Sequence, residues 1–150
     1  MRDARHEARA LARRVGWTSL AAWALVGMAL EAAHGLKLSS YLDDALTREL
    51  CTLAHAHGVG LALVTIVVGE LGLPRLDEAA ARWVARAVAA CAVAIPASFL
   101  LATIGHGESD PGIAIWAVPV AALTLVVALA RIAGATFAPA DEEKEEEVDR

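Results

Sequence analysis

The residues able to do chemistry are few, and they are densest from Cys51 to Gly60, C-T-L-A-H-A-H-G-V-G. His55 and His57 stand two apart, so on a helix turning about 100° per residue they point to nearly opposite faces. His55 shares its face with Cys51, Gly58, Ala62, Thr65 and Gly69, small residues that suit a helix–helix interface. His57 shares its face with Leu61, Val64 and Val68, and would look toward lipid, headgroups or a second partner. Imidazoles on facing helices could ligate haem b axially, His55 with His34 or His106. They could also hold a transition-metal ion, with His34, His55, His57, His106 and Glu31 as candidate ligands. Glu31 and His34 have the i, i+3 spacing of carboxylate-bridged di-iron bundles, but no second Glu-x-x-His follows. A proton or ion relay would use Glu31 and His55 as a titrating pair. A plainer reading makes His34, His57 and His106 polar residues near water at helix ends. In it His55 joins two helices by one hydrogen bond, to Glu31 or to a backbone carbonyl.

These residues need elements to hold them. The 150-residue chain is 57% hydrophobic with a mean hydropathy of +0.51, well above an ordinary soluble domain. Its apolar mass is mostly Ala, Leu and Val. Four runs, 15–33, 50–68, 83–104 and 113–130, come close to the roughly 20 apolar residues that a bilayer core requires. Their middle turns carry almost no charge, whereas a soluble bundle would show a polar stripe along each helix. The fold class expected is all-α: a polytopic membrane protein with four transmembrane helices in an up-and-down bundle. The spans are expected near 15–34, 50–69, 78–105 and 113–132, within a transmembrane domain 15–137.

Residues 1–14 carry Arg2, Arg5, Arg9, Arg13 and Arg14 and read as a helical lead-in at the anionic membrane surface. The first apolar run is long enough to span, and no small-x-small cleavage site follows it. A retained span is therefore expected in place of a cleaved signal peptide. Ser40 and Asp43 resemble a capping box, which predicts a short amphipathic helix over 41–50. Pro119 should kink the fourth span. Residues 138–150 read as an acidic, disordered tail; from Asp141 onward it carries seven acids and two bases, and so accounts for the whole formal charge of −5. Cys51 and Cys91 fall at different depths and read as small packing residues.

With four spans, the N-terminus, the 70–86 loop and the C-terminal segment share one side and hold eleven of the thirteen basic residues. Only Lys37 and Arg48 lie opposite. That asymmetry puts both termini in the cytoplasm. It also gathers His34, His55, His57 and His106 near the outer leaflet, with Glu31, Lys37, Asp43, Asp44, Glu108 and Asp110 at the same level.

The Ala/Arg/Val-rich usage suggests a GC-rich bacterium and hence its inner membrane. Glu31-Ala-Ala-His-Gly-Leu-Lys37 resembles the Gly-Ala-His-Gly-Leu-Lys ending of a helix in the YgdD-like family of small four-helix bacterial membrane proteins. A histidine early in the second span, Pro111-Gly112 and Pro119 are similar as well. The family carries no settled activity, so the resemblance implies a topology and nothing about chemistry. A histidine pair opening a helix is also similar, locally, to subunit I of nitric oxide reductases and haem–copper oxidases.

No Gly-rich phosphate loop, Ser/His/Asp arrangement, nucleic-acid surface or internal repeat is present. The expectation is a small integral membrane protein of accessory or interaction type, without catalysis of its own. Its partners would be the lipid bilayer and a larger membrane complex or a homo-oligomer. A redox or haem protein is the alternative, and a small transporter using Glu31 a second.

Overall fold

The structure is a computed structural model that describes residues 4–108 and 110–137. The expected acidic tail lies outside the described residues. Helix α1 spans Ala4–Gly35, α2 is a single turn at Ser39–Leu42, α3 spans Ala45–Val67, α4 Glu78–Leu101 and α5 Ala117–Phe137. Four of these helices are long and apolar enough to cross a membrane. The described chain is a helical bundle, as the run lengths predict.

The helix α4 is the centre. Small residues on more than one of its faces, including Ala81, Ala85, Ala87, Cys91 and Ala92, let three neighbours approach closely. Helices α1 and α3 pack on it and on each other, and α5 packs on α4 from another side. Two apolar clusters result. One, around Ala8, Ala12, Leu73, Val84 and Val88, lies at the end that carries the arginines. The other, around Leu50, Ala54, Ile95 and Phe99, lies at the end that carries the histidines.

Three expectations change at the helix ends. Residues 4–14 are not a separate surface segment: they continue α1 without a break, and Ala8 and Ala12 are buried in the arginine-end core. Alanines at i and i+4 give that turn a flat face that sits against Gly69 and α4. The helix expected over 41–50 also differs. Asp44, not Ser40, is the cap, accepting from the Thr47 amide at 2.9 Å, so residues 45–50 become the first turns of α3.

The third change concerns the last two spans. Helix α4 stops at Leu101, because Gly105 turns the chain at φ +67° and the Gly112 amide donates back to the Ala102 carbonyl at 2.8 Å. A Cβ on Gly112 would lie 2.6 Å from the Ile104 carbonyl oxygen, so only glycine fits that return. A 3₁₀ turn at Ile113–Trp116 then leads into α5. Pro119 falls in the first turn of α5, where its missing N–H would have had no intrahelical partner. It helps start the helix and is not an interior kink.

At the other end of α3 the ladder widens into a π turn, Val68–Gly72, followed by a 3₁₀ turn, Leu73–Arg75. Asp77 then caps α4, accepting from the Ala80 amide at 2.9 Å. The flanking glycines admit neighbours. A Cβ on Gly69 would meet Ala12 Cβ of α1 at 2.9 Å, and one on Gly72 would meet Ile132 Cδ1 of α5 at 2.9 Å.

Candidate functional site

The seam between α1 and α3 is built from small residues facing large ones, in antiparallel register. Ile66 of α3 fills the notch at Gly16, where a Cβ would stand 2.5 Å from Ile66 Cγ1. Nearer the histidine end the exchange becomes reciprocal. The Trp23 indole of α1 lies on Gly58 of α3, and the His55 imidazole of α3 lies on Gly27 of α1. One notch on each helix thus takes a ring from the other. The His55 face also buries Gly58, Ala62, Thr65 and Gly69, as its spacing predicts.

Within this seam His55 Nδ1 is 2.9 Å from the Trp23 carbonyl oxygen. A carbonyl only accepts, so Nδ1 carries the proton and donates. Nε2 is then the lone-pair nitrogen when the ring is neutral. The interhelical bond goes to a backbone carbonyl and not to Glu31. The Glu31 side chain is exposed, near the end of α1.

The other histidines sit in separate settings. His57 does not look toward lipid. Its ring is half-buried against Phe99 of α4, with ring centroids 4.9 Å apart, and Nδ1 donates to Leu53 O at 2.8 Å. Because α3 lies between α1 and α4, both of its opposed histidine faces meet protein. His34 is exposed, donates from Nδ1 to Leu30 O at 3.1 Å and meets the buried Tyr41 ring edge-on, with centroids 5.1 Å apart. Among the described residues no three His, Cys, Asp or Glu side chains converge on a point that could hold a metal ion. In this arrangement His34, His55, His57 and His106 each keep separate hydrogen-bond or ring partners.

A polar junction that single-sequence reasoning missed involves His106. Its Nε2 lies 3.0 Å from Asp44 Oδ2 and 3.1 Å from Thr47 Oγ1, and its Nδ1 lies 2.7 Å from the Gly107 carbonyl. Both ring nitrogens are thus within hydrogen-bond reach of polar partners. The Thr47 hydroxyl also donates to Asp44 Oδ2 at 2.9 Å. The Thr47 amide, chiefly, holds the Asp44 carboxyl below its ordinary value; the Thr47 hydroxyl and His106 act in the same direction, against partial desolvation. This junction ties the 102–112 loop to the start of α3. The Asp44-x-x-Thr47 spacing could have revealed the cap, but nothing local points to His106, 59 residues beyond Thr47.

The arginine end has its own junction. Glu70, inside the π turn, accepts from Arg9 Nη2 at 2.9 Å and faces Arg13 Nε at 3.7 Å. Asp77 is also held below its ordinary value, first by the Ala80 amide, with Arg131 and Arg5 adding to the effect. Cys51 and Cys91 are free thiols, the latter donating to the Ala121 carbonyl at 3.2 Å.

No known family, characterised protein or solved structure matches this chain.

Proposed function

We propose that this chain is a small multi-pass protein of the bacterial inner membrane, with both termini cytoplasmic, acting as an accessory or interaction subunit and not as an enzyme. The observation that carries the reading is how α1 and α5 are used. Only 6% of the residues in the most apolar stretch of each are fully buried, against 61% in that of α4. Beside their packing on α3 and α4, these two helices keep apolar faces outward, Trp17, Leu25 and Met28 on α1 and Val120, Leu123 and Val126 on α5, open to lipid or to partner helices.

Saturated polar groups support the same reading. Thr65 donates to Leu61 O at 2.7 Å, Ser98 to Ala94 O at 2.7 Å and Thr124 to Val120 O at 3.0 Å. Each hydroxyl is satisfied one turn back in its own helix, so these side chains form no polar lane through the bundle. The excess of basic residues at the end shared by the termini supports the orientation.

Site-specific photo-crosslinking in intact membranes from Leu25 on α1 or Val127 on α5 tests this. A discrete protein adduct, whether a second copy or another membrane protein, is the expected result. Adducts with lipid alone at both positions would overturn the interaction reading.

One geometric observation favours a second reading, a haem or transition-metal protein. His34, His55 and His57 each donate Nδ1–H to a backbone carbonyl, which aims the lone pair through Nε2 as metal-ligating histidines do. His106 would have to give up Asp44 to join them. Elemental analysis and an absorption spectrum of the purified full chain decide between the readings.

A further inference from the structure

Helix α5 leans on α4 and closes on the end of α3 near Gly72, where Ile132 fills the glycine notch. Along α3 this leaves a groove of about 540 Å³. Leu63, Val67 and Leu71 form one wall, Leu129 and Ile132 the other, and Arg75 stands at the mouth. Leu63, Val67 and Leu71 are 48%, 54% and 60% exposed, so the wall is open to the surroundings. Thr136 is the one uncharged polar side chain in the lining, and its hydroxyl is already bonded to the Ile132 carbonyl at 2.9 Å. The groove offers an occupant only apolar contact along its length.

Its mouth offers the opposite. Arg75 lies in the 3₁₀ turn that ends the span and donates to the Leu71 carbonyl one turn back, which holds the guanidinium beside the groove. Among the described residues no carboxylate pairs with it. Glu70 takes Arg9 and Arg13, while Asp77 accepts from the Ala80 amide and faces Arg131 and Arg5. A cation that no described carboxylate pairs with, at one end of an apolar channel, matches a molecule with an anionic head and a hydrocarbon tail.

We propose that the α3–α5 groove holds one acyl chain of a net-anionic phospholipid, with the headgroup phosphate on Arg75. The inference rests on the four long helices being membrane spans. It goes beyond an interaction role by assigning a bound lipid.

Native mass spectrometry of the full chain, released from detergent after incubation with equal phosphatidylglycerol and phosphatidylcholine, tests it. One retained phosphatidylglycerol per chain is expected. Arg75→Gln, at an exposed position, should lower that occupancy about fivefold, the worth of one arginine near an anionic headgroup. Ala133→Phe, which fills the groove without touching the charge, should lower it too, whereas Arg14→Gln should not. Equal retention by Arg75→Gln, or several lipids bound without headgroup preference, would overturn the assignment and leave only annular lipid. Purification without detergent would instead sink the membrane reading, and the lipid site with it.

Discussion

The His55 imidazole rests on Gly27 so closely that a methyl group there would stand 2.5 Å from Cε1, while its Nδ1 reaches the Trp23 carbonyl one turn earlier. Packing and hydrogen bonding thus fix the same ring at the same place. Trp23 answers by laying its own ring on Gly58.

This reciprocal arrangement makes the two glycines costlier to replace than their size suggests. Gly27→Ala and Gly58→Ala should each destabilise the bundle by about 1–3 kcal/mol, the usual cost of overpacking a tight contact. Gly60, with nothing near its missing Cβ, should accept alanine freely. Unfolding of the three variants in mixed detergent would show the contrast, and equal tolerance at all three would refute the seam.

His55→Ala removes the bond and opens a cavity between α1 and α3. The loss of the bond alone should cost about 0.6 kcal/mol, the average for interhelical bonds within membranes. If a metal or haem is bound through Nε2, the same variant should release it and His6→Ala should not. Metal-to-protein ratios for the two variants, measured side by side, separate the cases.

The Asp44–Thr47–His106 junction predicts an acid-sensitive loop. Asp44 is held below its ordinary carboxyl value in the folded protein, so its contribution is present above the ordinary value, about 3.8. It is lost as pH falls through the lowered folded value. Asp44→Asn should remove that acid dependence. It should also raise amide exchange across 102–108 at neutral pH. Unchanged exchange in Asp44→Asn would show that the loop is held by the Gly112–Ala102 bond alone.

At the arginine end, Glu70→Gln leaves Arg9 and Arg13 facing a neutral partner. Both pairs are more than a third exposed, so solvent screens them and the cost should stay below about 1 kcal/mol. Gly69→Leu, which drives α1 away from the π turn, should cost more. The ranking, read from thermal unfolding, tests whether packing or charge holds this end.

Much of this architecture follows from the chain read one stretch at a time. Run length announces four membrane-length helices, and the i, i+3, i+4 spacing of Gly58, Ala62, Thr65 and Gly69 announces the face of α3 that meets another helix. Both signals are local, because length and periodicity are carried by neighbouring residues. Which helices become neighbours is a different matter. A helix that is apolar all round carries little amphipathic signal to separate a lipid-facing side from a protein-facing one. Hence the placing of α4 at the centre, the packing of His57 on Phe99 and the pairing of His106 with Asp44 belong to the tertiary structure alone. Of the four histidines beyond His6, His34 stands at the end of α1, His106 in the connecting loop, and His55 and His57 within α3. They keep separate partners because α1, α3 and the 102–112 loop approach from different sides.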